Sequence, residues 1–92
     1  MGLAFGVAIA QAATGVSVSR TQEAAVKVGM SAAEVERILG CPARRITYGG
    51  APGPSWTYHV VGDPQGTIEF GVDFGSDGKV LSAREYWYPG GG

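Results

Sequence analysis

A single cysteine, a single histidine and no run of like charge leave this chain short of the usual materials of catalysis and nucleic-acid binding. The lone thiol, Cys41, excludes an intramolecular disulfide. The lone imidazole, His59, excludes metal sites built on several histidines, and Glu69 and Asp73 would add only oxygen at an uncertain register. Seven basic and eight acidic side chains give a net charge of −1. Without clustered Lys and Arg to neutralise phosphates, nucleic acid is excluded as an expected partner. The apolar run Leu3 to Ala10 is too short to span a bilayer. Ninety-two residues suffice for one domain, which buries about 60–65% of its unfolded surface. Sixteen glycines are too many for an all-helical chain.

What is present is best organised around residues 28–42. Ser31 is a good N-cap, and Glu34 three residues later completes a capping box. Val35, Ile38 and Leu39 form one apolar stripe, while Glu34, Glu36 and Arg37 face water. Gly40 stops this helix and Pro42 forbids its resumption. Gly29 is expected to stop a shorter helix running from Arg20 or Thr21 to Val28. Ser19 or Thr21 would cap that helix, with Ala25, Val26 and Val28 toward the core.

After Pro42 the period changes. Arg44 to Tyr48 reads as a short extended segment, followed by a Gly/Pro-rich loop over 49–54. Ser55 to Val61 alternates, with Trp56, Tyr58 and Val60 on one face. Thr67 to Phe74 alternates more cleanly still: Ile68, Phe70, Val72 and Phe74 against Thr67, Glu69, Gly71 and Asp73. Gly75-Ser76-Asp77-Gly78 makes a hairpin loop to a last strand, Lys79 to about Tyr88. Two helices followed by an antiparallel meander predict an α+β two-layer domain (ααβββ) with both helices on one face of a three-stranded sheet. Thr57, His59, Glu69 and Asp73 belong on the opposite, wet face.

No catalytic constellation emerges, and no metal or cofactor is expected. Glu69 and Asp73 have no evident pocket to perturb them, and the capping box accounts for Ser31. The 49–53 loop has no following helix to aim N–H groups at an anion. Cys41 follows Ile38-Leu39-Gly40 as a lipidated cysteine would. A charged helix surface precedes it, however, so a structural thiol is expected. The aromatics carry more information. Successive strand residues point to opposite faces, so Tyr86, Trp87 and Tyr88 cannot all be core. With Arg84, and with Arg44 and Arg45 brought near by the fold, they form the expected partner-binding surface, since Tyr, Trp and Arg anchor protein interfaces.

Several of these pieces together resemble the SmpA/OmlA (BamE-like) family of small outer-membrane lipoproteins. They are Val26-Lys27-Val28-Gly29-Met30-Ser31, Glu34-Val35, Ile38-Leu39-Gly40 with Pro42, Trp56-Thr57-Tyr58, Ile68 to Phe74, and Gly78-Lys79-Val80. They span about residues 22–84 in the family's order and spacing. The resemblance implies a periplasmic ααβββ domain without catalysis. It would be an accessory in outer-membrane β-barrel assembly and envelope integrity, binding partner proteins and, in some members, anionic phospholipid. One departure bears on anchoring: the family carries a lipidated cysteine just after the signal peptide, where this chain has Ala and Gln. Secreted β-lactamase inhibitor proteins have a related fold, so an inhibitor of a partner enzyme is the alternative reading.

The N-terminus fits export. Leu3 to Ala10 followed by Ala10-Gln11-Ala12 resembles the end of a signal peptide with its cleavage site, though the basic leader segment is missing. The expected layout is a signal remnant or loose tail over 1–13, a tether over 14–20, the domain over 21–88 and a flexible tail over 89–92.

Overall fold

The computed structural model describes residues 17–63 and 65–87. The expected signal remnant, the first part of the tether, Tyr88 and the C-terminal tail lie outside these described residues. The elements in chain order are β1 (Ser17–Val18), α1 (Arg20–Ala25), α2 (Ala32–Leu39), β2 (Arg44–Ile46), β3 (Ser55–Val60), β4 (Ile68–Phe74) and β5 (Val80–Trp87). The α+β class is as expected, with two helices, but the sheet has five strands rather than three.

The two additional strands share one flank of β3. β1 runs parallel to it, pairing Ser17 with His59 and Val18 with Val60. β2 runs antiparallel, pairing Arg44 with Thr57 and Ile46 with Ser55. On its other flank β3 pairs with β4, and β4 with β5, both antiparallel. Residues 17–20, expected as the end of a tether, are therefore part of the domain. Val18 is fully buried, and its carbonyl accepts from the Val61 N–H at 2.9 Å.

Both helices begin where their caps require. Ser19 Oγ accepts from the Gln22 N–H while the Gln22 side chain accepts from the Ser19 N–H, and Ser31 and Glu34 repeat the arrangement. α2 ends at Gly40, whose φ of 85° and ψ of −160° lie in a region open essentially to glycine alone. α1 ends earlier than expected. Val26 turns inward as its extended C-cap, and Val28, expected in the core, is 73% exposed. Gly29 keeps its positive φ of 94° in the turn beyond. There its N–H donates to the Val80 carbonyl, while the Val80 N–H donates to Met30. The linker between the helices is thus tied to the start of β5.

The core lies between the helices and the sheet, as the alternation predicts. Val26, Val35 and Leu39 meet Trp56, Tyr58, Val60, Phe70, Val72 and Phe74. The Trp56 and Phe74 rings pack edge to face, 4.7 Å between centroids. The buried Tyr58 hydroxyl donates to the Gly40 carbonyl at 3.0 Å, so β3 closes the open end of α2.

An irregularity in the last hairpin decides where the end of the chain points. Asp73 pairs with Ser82 and Phe74 with Val80, leaving Leu81 as an extra residue in β5. A one-residue shift moves every later side chain to the other face. Ala83, Glu85 and Trp87 therefore turn to the helix side, and Ser82, Arg84 and Tyr86 to the opposite side.

Candidate functional site

The face of the sheet away from the helices carries three cross-strand rows: Ser55–Asp73–Ser82, Thr57–Gly71–Arg84 and His59–Glu69–Tyr86. In the first row Asp73 sits between two serines. Its Oδ1 accepts from Ser55 Oγ at 2.6 Å, and its Oδ2 from Ser82 Oγ at 3.1 Å. In the second row the Tyr86 ring lies beside Gly71. A Cβ on Gly71 would stand 3.5 Å from that ring, an ordinary contact distance. Arg84 places its guanidinium 5.3 Å from the Tyr86 centroid, with Nε 3.4 Å from the phenol oxygen.

The Gly/Pro-rich loop closes over the serine end of this face. Gly53 passes so near the β4–β5 hairpin that a Cβ there would lie 2.6 Å from the carbonyl oxygens of Phe74 and Gly75. Between loop and sheet is an open cleft of about 380 Å³, bounded by Tyr48, Ala51 and Pro52 on the loop and Leu81, Ser82 and Tyr86 on β5. Asp73 lies in it, which corrects the expectation that this carboxylate has no pocket. Glu69 is elsewhere, held by Arg44 at 3.2 Å.

The expected binding residues do not form one surface. Arg84, Tyr86 and Arg44 share the open face, at its two sides. Arg45 pairs with Trp56 in register and so lies on the helix side, 4.8 Å from the Trp56 ring and 3.7 Å from Glu36. Trp87 is 64% exposed at the far end of β5, also on the helix side. The sequence alone does not single out the serine–aspartate row or Tyr48 as site residues. Each polar residue is visible there, but only the strand registers align them.

On the helix side, α1 meets β5 through charges. Arg20 Nε donates to Glu85 at 2.6 Å. That hydrogen bond holds the Glu85 carboxyl below the usual range. Glu23 stands close by with Oε2 sealed from solvent and without a partner. Burial first, then its interaction with Glu85, pushes Glu23 up to about 7.

Among the described residues no three His, Cys, Asp or Glu side chains gather closely enough to hold a metal ion. No helix among them is long and apolar enough to cross a membrane. Comparison with protein-family models, with curated proteins and with solved structures returns no match.

Proposed function

We propose that the protein is a non-catalytic binding module of the cell envelope, a periplasmic accessory to outer-membrane β-barrel assembly acting through protein contact. The envelope setting rests on the sequence resemblance to the SmpA/OmlA family and on the signal-like N-terminus. The observation that carries the binding role is the sheet face opposite the helices. Among the described residues no element covers it, and it concentrates Tyr48, Tyr86 and Arg84 beside a cleft, the residue types that anchor protein interfaces. Anionic phospholipid is the less favoured partner, because seven basic side chains are offset by eight acidic ones and no basic run gathers them.

Affinity capture from envelope extracts tests this reading. The full chain should retain a component of the β-barrel assembly machinery, and a Tyr48→Ala/Arg84→Ala variant should lose it. Recovery of no assembly component by the wild type overturns the reading. An enzyme-inhibitor role would use the same aromatic face. Unchanged rates across a panel of periplasmic hydrolases, β-lactamases included, at micromolar protein would remove that alternative.

A further inference from the structure

We propose that the cleft between the 48–54 loop and β5 receives a lysine or arginine side chain presented by the partner protein. The proposal rests on the protein-binding reading above and gives that partner its chemistry.

The serine–aspartate floor of the cleft offers side-chain acceptors, and the remaining hydroxyl donors among the lining residues are the phenols of Tyr48 and Tyr86 at its walls. Both serine hydroxyl protons are committed to Asp73, one to each carboxylate oxygen. Each of those oxygens retains a lone pair, as do the serine oxygens. The Asp73 charge repels an anion, whereas an ammonium or guanidinium consists of donors only and can use these acceptors. The charge is available as well. Arg44 neutralises Glu69, but Asp73 has no ion-pair partner among the described residues. Arg84, the basic side chain on β5, lies over Tyr86 and feels the Asp73 charge without forming an ion pair with it. The walls suit an aliphatic stem, with Pro52, Ala51 and Leu81 apolar and Tyr48 an aromatic of the type cations favour. A volume near 380 Å³ is at the small end for ligand pockets and matches a side chain better than a cofactor.

The test is NMR titration of the full-length ¹⁵N-labelled protein with four blocked amino acids: N-acetyl-arginine amide, N-acetyl-lysine amide, N-acetyl-norleucine amide and N-acetyl-glutamate amide. Saturable shifts confined to residues 48–54, 73 and 81–82 are expected with the two cations alone. Asp73→Asn keeps the shape and should weaken their binding roughly tenfold or more. Tyr48→Ala, in the exposed loop and away from the core, should weaken it while leaving the fold intact. Equal shifts with norleucine amide, or cation shifts scattered over the surface, overturn the proposal. A blocked Ala-Ala-Arg-Ala-Ala peptide should bind at least as tightly as the arginine amide. Failure of that peptide alongside binding of spermidine would overturn the assignment to a protein partner. If all cations fail while envelope capture succeeds, the cleft assignment falls and the binding role stands. If the cations bind while capture fails, the envelope role falls instead.

Discussion

Replacing Glu23 by Gln is expected to stabilise the protein above neutral pH and to change little near pH 5. Burial and the neighbouring Glu85 move the Glu23 carboxyl from 4.5 to about 7. An acid whose pKa is raised on folding holds its proton more tightly in the native chain. The stability that proton confers is complete below 4.5, falls as pH rises, and is lost beyond about 7. Glu85 has the opposite sign. Lowered by Arg20, it contributes stability above the ordinary carboxylate range that is lost as pH falls. The two effects together place maximal stability near pH 5. At about 1.4 kcal/mol per pH unit the Glu23 interval corresponds to roughly 3 kcal/mol. The side chain is half-buried, so solvent screens much of this, and about 1 kcal/mol is the expected loss between pH 5 and pH 8. A glutamine amide carries no charge to desolvate and none to repel Glu85 at any pH. Urea denaturation followed by circular dichroism at both pH values measures the effect, and thermal midpoints should differ by roughly 4–8 °C. Wild type and variant curves separated by the same amount at pH 5 and pH 8 would refute the reasoning.

Gly29→Val should cost at least about 1 kcal/mol, read as a lower urea midpoint, because φ at 29 is 94°. No atom lies within 4 Å of a Cβ built there, so the cost is one of backbone conformation alone. Gly53→Ala should cost about 1–3 kcal/mol, since its methyl would meet two backbone carbonyls at 2.6 Å. Its amide spectrum should change at the loop and the β4–β5 hairpin and be preserved in α1. Tyr58→Phe should cost about 1 kcal/mol by leaving the Gly40 carbonyl without its donor, measured by the same urea titration.

The parts legible in the sequence are those specified by local chemistry. The Ser31–Glu34 box, the Gly40 stop and the alternation of β3 and β4 each follow from a few neighbouring residues, and each is found where expected. β1 was not legible. Two residues carry no period, and their pairing with residues 59 and 60 depends on contacts forty positions away. The extra residue at Leu81 is equally silent, yet it decides which face Arg84 and Tyr86 occupy. Strand alternation sends Arg44 and Arg45 to opposite faces of the sheet, so the two do not belong to one surface. The cleft was hidden for a different reason: Ser55, Asp73 and Ser82 come from three strands, and only register brings them together.

The sharing of one flank of β3 between β1 and β2 bears on how the molecule opens. Segments from before and after the helix pair are both fastened to the same strand, with β4 along its other side. Neither helix can swing away from the sheet without loosening one of these fastenings. Amide hydrogens along β3 should therefore be the slowest to exchange with deuterated solvent, released only when the whole domain unfolds. Those on the free edge of β5 beyond Val80, which has no further strand beside it among the described residues, should exchange first.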